Sequence, residues 1–85
     1  MANLYKVSEH SPEHSKPEIS ISLVKGGENS AIIKINNKVE LDCNYREFKS
    51  FDLEGKSYTI ELNNTFLENW GGVVKCYVFS LKEPC

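Results

Sequence analysis

Arginine and long apolar runs are both scarce in this chain, and each scarcity argues against a class of protein. Arg46 is the single arginine and the formal net charge is −2, so no general attraction to phosphate backbones or anionic membranes is expected. No apolar run approaches the roughly 20 residues of a membrane-spanning helix, and the N-terminus lacks the apolar stretch of a signal peptide. We therefore expect a cytoplasmic protein with no membrane partner, although a secreted form whose signal had been removed would have the same composition.

Residue patterns that carry catalysis, metal binding or phosphate binding are also missing. His10 and His14 lie in a proline-containing N-terminal stretch, far in sequence from every cysteine that they would have to activate. The pairs Gly26-Gly27 and Gly71-Gly72 lack the strand, loop and helix setting of phosphate-binding loops, so we expect turns there. The sequence predicts no catalytic residue, no metal site and no cofactor, and we interpret the chain as a protein that is not an enzyme.

Three cysteines, Cys43, Cys76 and Cys85, form an odd set that cannot pair completely within one chain. Cys43 and Cys76 fall on the inward faces of predicted strands, where a cross-strand disulfide is rarely unstrained, so buried free thiols are expected. Cys85 is expected to be exposed at the terminus. Free thiols agree with an intracellular location.

Residues 19–62 carry the strongest structural signal, an alternation of apolar and polar residues interrupted by tight-turn dipeptides. Asn36-Asn37 and Glu54-Gly55 are placed to form hairpin turns, and asparagine and glycine tolerate the positive φ that such turns need. Strands are predicted over residues 19–25, 30–35, 38–43, 51–53, 56–62 and 73–81. The predicted fold is all-β, a small antiparallel β-sandwich or open barrel of five to six strands.

Two segments depart from this alternation. Residues 1–18 contain two prolines and few apolar residues, so we predict a partly flexible N-terminal arm before a single β domain over residues 19–85. The stretch from Leu4 to Val7 is compatible with an edge strand as an alternative. Thr65 and Glu68 match a capping box, which predicts one short helix over residues 66–70, ended by Gly71-Gly72, before the last strand.

The last strand, over residues 73–81, has two apolar faces. It is therefore either a central strand covered on both sides or a strand that displays an aromatic patch. We assign its Val74, Cys76 and Val78 face to the interior. The predicted core is Ile19, Ile21, Leu23, Ile33, Ile35, Val39, Leu41, Tyr58, Ile60, Leu62, Phe66, Trp70, Val74, Cys76 and Val78.

A small β domain without catalytic groups is best interpreted as a protein-binding module, an inhibitor or effector that binds a larger protein through a sheet edge or an aromatic face. Exposed apolar clusters mark such sites, and tryptophan is common at interaction hot spots, so Trp70 is a candidate anchor as well as a candidate core residue. The candidate partner-binding residues are Tyr77, Phe79, Ile32, Trp70 and Lys75.

The alternative is a small β-barrel that binds single-stranded nucleic acid by stacking bases on aromatic side chains beside lysines. The candidate residues are Tyr45, Phe48, Phe51 and Tyr58, with Lys34, Lys49, Lys56 and Lys75. The single arginine and the acidic balance of charge disfavour nucleic acid as a partner.

Overall fold

The computed structural model describes residues 2–83, and these residues form eight β-strands and no helix. Met1, Pro84 and Cys85 lie outside the described residues, and with them the predicted exposure of Cys85. The strands are β1 (Ala2–Ser8), β2 (Glu13–Ser15), β3 (Ser20–Gly26), β4 (Ser30–Ile35), β5 (Val39–Asn44), β6 (Phe48–Leu53), β7 (Lys56–Asn69) and β8 (Val73–Lys82).

Two antiparallel sheets of four strands form a sandwich, which confirms the predicted all-β fold, with eight strands instead of five to six. The first sheet has the order β1-β8-β7-β6 and the second has the order β2-β3-β4-β5. The chain crosses between the sheets after β1 and after β5, and β8 returns to pair with β1 over seven residue pairs. Each sheet therefore consists of strands that follow one another in the chain, apart from this closing pair.

Local turn chemistry explains why the predicted hairpins form. Asn36 and Asn37 have φ of 53° and 58°, and Glu54 and Gly55 have φ of 51° and 81°. These left-handed conformations match the twist of the flanking strands in two-residue hairpins. The hairpins β4–β5 and β6–β7 confirm the two turns that the sequence predicted.

The core lies between the sheets and matches much of the predicted set. Ile21, Ile33, Ile35, Ile60 and Leu62 are fully buried. The predicted residues Leu23, Val39 and Leu41 are partly buried and pack against this core, whereas Phe66 and Val78 are half-buried and outside it. The core also takes residues that the prediction left out: Tyr5, Val7, Ala31, Cys43, Phe51, Leu53, Tyr77, Phe79 and Leu81.

Residues 2–18, predicted to be a partly flexible arm, supply strands β1 and β2. The alternative prediction, an edge strand over Leu4 to Val7, is confirmed. This segment pairs with β8, and the sandwich buries Tyr5 and Val7. Four residues of alternation are too short a signal to predict a strand from its own sequence, since the stabilising partner lies at the other end of the chain.

The face assignment of the last strand was wrong. Tyr77, Phe79 and Leu81 of β8 point into the sandwich, and Val74 and Cys76 are buried on the opposite face. Because β8 is central and both its faces are apolar, alternation alone does not say which face meets the second sheet. β8 is a central strand between β1 and β7, as one of the two interpretations required, and its aromatic residues Tyr77 and Phe79 are buried instead of displayed.

Candidate functional site: the open edge of the long hairpin

The hairpin of β7 and β8 extends beyond both neighbouring strands. β6 pairs with β7 only from Lys56 to Glu61, and β1 pairs with β8 only from Cys76 to Lys82. Among residues 2–83, the paired residues 64–69 of β7 therefore continue with β8 as their only sheet neighbour. This projecting hairpin contributes to the elongated shape of the molecule, with principal extents of 42 × 23 × 22 Å.

The predicted helix over residues 66–70 is wrong, since residues 64–69 continue β7 and pair in register with β8 from Val78 to Val73. Thr65 and Phe66 are residue types that favour strands, and a neighbouring strand satisfies their backbone groups. The turn follows at Trp70, whose N–H donates to the Gly72 carbonyl at 2.9 Å, with Gly71 at φ 78°. A capping pattern predicts a helix only where no strand competes for the same backbone.

The Glu68 carboxylate has three side-chain partners instead of capping a helix. It accepts hydrogen bonds from Lys6 Nζ at 2.8 Å, Trp70 Nε1 at 3.0 Å and Cys76 Sγ at 3.1 Å. The ammonium group, followed by the indole and the thiol, lowers the pKa of the Glu68 carboxyl to about 2. These contacts hold Trp70 against the outer face of the first sheet, which is the face turned away from the second sheet.

Both described cysteines are buried and free, as predicted. Burial raises the pKa of the Cys43 thiol to about 11. Burial, and then the hydrogen bond to Glu68, also raise the pKa of the Cys76 thiol. A thiol with a raised pKa is a poor nucleophile at neutral pH, so neither cysteine is activated for covalent chemistry.

The inner face of the hairpin, which faces the second sheet, is attached at its base to the loop between β3 and β4. Tyr77 Oη donates to the Gly27 carbonyl at 2.8 Å, and Lys75 Nζ donates to the Glu28 carbonyl. Tyr77 is 4% exposed and Phe79 is fully buried, so neither of these candidate partner-binding residues lies on the surface. Lys75 is half-buried in this attachment.

A hydrogen bond on β1 shows which backbone groups of each strand in the first sheet point to which neighbouring strand. The N–H of Lys6 donates to Nδ1 of His14 at 3.0 Å, so this amide points away from β8. Amides alternate between the two sides of a strand, so Tyr5 and Val7 bond to β8, and the residues opposite them on β8 face β1. The remaining amides of β8 must then face β7.

The same alternation assigns the amides of β7. The β8 residues that face β7 are Val74, Cys76 and Val78, and their partners are Glu68, Phe66 and Asn64. The backbone N–H and C=O groups of Thr65, Leu67 and Asn69 therefore point to the side where β6 would lie, and β6 begins opposite Glu61. We call residues 63–69 of β7 the open edge.

Exposed apolar side chains concentrate around the open edge. Seven large hydrophobic residues are exposed among those described, and five of them lie on the projecting hairpin or beside its base. Leu67, Trp70 and Val73 belong to the hairpin, and Trp70 is 59% exposed. Phe48 pairs with Glu61, and Tyr45 bridges to Leu62, so both aromatic residues mark the end of the open edge near β6.

Three of the edge strands, β1, β2 and β5, carry features that discourage pairing with a foreign strand. The β1 edge is covered by His14, and β2 is three residues long between Pro12 and Pro17. Exposed carboxylates alternate along β5 at Glu40 and Asp42. The open edge has no proline, and its one charged residue, Glu68, is occupied by the contacts described above.

The five residues predicted to bind a partner do not form one surface. Trp70 is exposed at the tip of the hairpin, as its alternative role as an anchor requires, so its assignment to the core was wrong. Ile32 is half-buried on β4 of the second sheet, paired with Lys25 and Asp42. Only Trp70 of the predicted set belongs to the open edge and its surroundings as an exposed side chain.

Leu67, Val73 and Phe48 are exposed around the open edge but were not among the predicted partner-binding residues. No proline or glycine interrupts residues 64–69 before Gly71, but Phe66 and Leu67 are adjacent, so the segment lacks the apolar–polar alternation of the predicted strands. The exposure of Phe48 depends on where β6 meets β7, which the local pattern does not specify.

The aromatic residues proposed to stack on nucleic acid are divided between the core and the surface. Phe51 and Tyr58 are buried and stack on each other, with ring centroids 5.4 Å apart and an interplanar angle of 16°. Tyr45 and Phe48 are exposed. Two of the four rings are therefore unavailable to bases in this structure.

Two clefts lie at the opposite end of the sandwich, on either side of Pro17 and Glu18. Their volumes are about 360 and 340 Å³, and their linings include Lys16, Lys56 and Glu83.

No helix in residues 2–83 is suited to crossing a membrane. Comparison with known protein families, curated proteins and solved structures finds no match to this chain.

Proposed function

We propose that this chain is a non-enzymatic protein-binding module that adds an extended segment of a larger protein to its first sheet at the open edge. The observation that supports the proposal is that β7 extends beyond the end of β6. In the described residues, this leaves the outward-facing backbone groups of Thr65, Leu67 and Asn69 without a strand partner. Strand addition uses such groups for affinity, and side chains on alternate positions for specificity. The partner acts as the missing neighbour of β7.

The surrounding side chains support this mode of binding. Each backbone hydrogen bond made to the partner contributes about 0.5–1.5 kcal/mol net, so apolar contacts must supply the rest of the affinity. Leu67 presents 66% of its surface on the inner side of the edge, and Trp70 lies at its end. Trp70 is held by the Glu68 carboxylate, and a fixed aromatic side chain loses little conformational entropy on binding.

A module of this kind acts by occupying or masking its target, which is the role of an inhibitor or effector. We place it in the cytoplasm, because Cys43 and Cys76 are free thiols and reducing compartments preserve them. The partner is a protein, because the open edge offers backbone hydrogen bonds and apolar side chains where a nucleic acid would require cations.

The test compares capture of partners from a lysate by three forms of the chain. Thr65→Pro removes an N–H that points to the open edge while leaving the β7–β8 bonds, and Val24→Lys alters an exposed apolar residue on β3 of the second sheet. We expect the Thr65→Pro form to lose a protein that the wild type and Val24→Lys both retain. Hydrogen exchange should show protection of the Thr65 and Leu67 amides in the complex.

Retention of the partner by Thr65→Pro, with no new protection at the edge, would refute the proposal. Salt dependence provides a second criterion for the class of partner. Binding that weakens steeply with salt would indicate phosphate contacts and favour the nucleic-acid alternative, whereas an apolar protein interface responds weakly.

A further inference from the structure

We infer that two copies of this chain pair with each other along the open edge when no partner occupies it, as a symmetric antiparallel dimer. The inference deepens the proposed function and rests on it in one respect, namely that the open edge is the binding surface. Self-pairing then regulates partner binding, because each copy must leave the dimer before it can accept a foreign strand.

The limits of the open edge define the register of the dimer. At one end the Leu62 carbonyl accepts a hydrogen bond from the Arg46 N–H at 2.9 Å, and at the other end the chain turns at Trp70. The free segment is residues 63–69, and its midpoint is Phe66. Asn63 is the extra residue of a β-bulge between Leu62 and Asn64, and residues 64–69 pair regularly with β8. A two-fold axis at Phe66, which lies between the outward-facing Thr65 and Leu67, pairs the two copies over the regular part of this segment.

The backbone groups are compatible with this register. With the axis at Phe66, Thr65 of one copy lies opposite Leu67 of the other, and both residues direct their N–H and C=O groups outwards. Each such pair exchanges hydrogen bonds in both directions, and symmetry repeats the pair on the other side of the axis. The two Phe66 residues form the non-hydrogen-bonded pair at the centre, the arrangement that brings side chains closest together.

The side chains are self-complementary in this register. Glu68 lies opposite Asn64 of the second copy, so no like charges meet, and its own Lys6 neutralises it at 2.8 Å. The two Phe66 rings form an aromatic pair, each with a Lys6 Nζ at 5.4 Å from its centroid. A net charge of −2 per chain gives little repulsion between copies.

The exposed aromatic residues at the two ends of the open edge also match. Asn69 of one copy lies near the bulge at Asn63 of the other, and the following Trp70 then lies toward Leu62 of that copy. Tyr45 bridges to Leu62 there, and Phe48 is paired with the adjacent Glu61. Trp70 of each copy thus meets the exposed Tyr45 and Phe48 of the other. A second copy is therefore the occupant that accounts for the exposed apolar groups at both ends.

Sedimentation equilibrium of the full chain tests the dimer directly. We expect a monomer–dimer equilibrium in the wild type and in Val24→Lys, and a dissociation constant raised about tenfold or more in Thr65→Pro, which loses a hydrogen bond in each copy. A monomer at every concentration up to about 1 mM would overturn the inference, as would an unchanged dissociation constant in a folded Thr65→Pro chain.

Cysteine crosslinking tests the register and remains informative if Thr65→Pro fails to fold. In a Cys76→Ser, Cys85→Ser background, which removes the thiol opposite Phe66 in the same chain, Phe66→Cys should form an intermolecular disulfide, because Cα atoms of a non-hydrogen-bonded pair are about 4.5 Å apart. Leu67→Cys should not, because the two Leu67 positions are diagonal across the axis. Crosslinking of Leu67→Cys in preference to Phe66→Cys would overturn this register.

The outcome for the dimer can be separated from the outcome for the proposed function. A monomeric chain that captures a partner through Thr65 retains the proposed function and overturns the inference, whereas a dimer that captures no protein does the reverse. If both hold, the oxidised Phe66→Cys dimer should lose partner binding and regain it when reduced. Equal binding by the oxidised and reduced forms would overturn the regulatory role.

Discussion

Replacing Phe79 by alanine tests the position of the core most directly, because the chain offers a matched control. Phe79 is fully buried in the sandwich, whereas Phe48 is 61% exposed, and Phe48→Ala is the same chemical change. Truncating a buried phenylalanine removes its transfer free energy and leaves a cavity, at a cost of about 3–5 kcal/mol. An exposed phenylalanine has little of either to lose, so we expect Phe48→Ala to change stability by less than about 0.5 kcal/mol.

The expected loss is large relative to the stability of the whole domain. At about 0.05–0.15 kcal/mol per residue, a chain of 85 residues has a free energy of unfolding of about 4–13 kcal/mol. Urea unfolding followed by far-UV circular dichroism measures this difference in unfolding free energy. Tryptophan fluorescence is less suitable, because the exposed Trp70 reports on the hairpin tip more than on the core. Equal unfolding free energies for Phe79→Ala and Phe48→Ala would show that the face assigned to the interior of β8 is wrong.

Three further predictions follow from the described contacts. A Cβ at Gly26 would lie 2.8 Å from Cε1 of Tyr77, so Gly26→Ala should destabilise the fold by about 1–3 kcal/mol, whereas Gly72→Ala, with open space around it, should be nearly neutral in urea unfolding. The folded-state pKa of Glu68 is lowered to about 2, so its stabilising contribution is complete above its ordinary value of 4.5 and is lost as pH falls through 2. The difference in unfolding free energy between wild type and Glu68→Gln should therefore shrink between about pH 5 and pH 2, and a constant difference would contradict the contacts of this carboxylate. Burial raises the pKa of Cys43 to about 11, so its reaction with a thiol reagent at pH 8, followed in a Cys85→Ser chain by mass spectrometry of the labelled peptides, should proceed no faster than unfolding, and rapid labelling at Cys43 would contradict its burial.

Local signals predicted the parts of the fold that depend on neighbouring residues. The turns at Asn36-Asn37 and Glu54-Gly55 need left-handed backbone, and the alternation around them determines which side chains of β4 to β7 face inwards. These hairpins form between segments adjacent in sequence, so the signal for pairing and the signal for burial lie in the same short window.

Features of the fold that depend on contacts between distant parts of the chain could not be predicted from local patterns. Strand β1 forms because β8 pairs with it, and the helix pattern at Thr65 and Glu68 fails because β8 also pairs with β7. To predict which face of β8 points inwards, one must know which of its two apolar faces the second sheet covers. The open edge arises from a mismatch in strand lengths, and only the assembled sheet reveals it.

The pairing of β1 with β8 has a consequence for the order of folding. Ala2 lies opposite Lys82, so the first strand cannot find its place until nearly the whole chain is present. Closing so long a loop is entropically costly before it gains contacts, which predicts that β1 docks after the β3–β5 and β6–β8 meanders. During synthesis Tyr5 and Val7 leave the ribosome before every other strand of the sandwich and are buried last, so until β8 is made they are exposed apolar residues that a chaperone can bind.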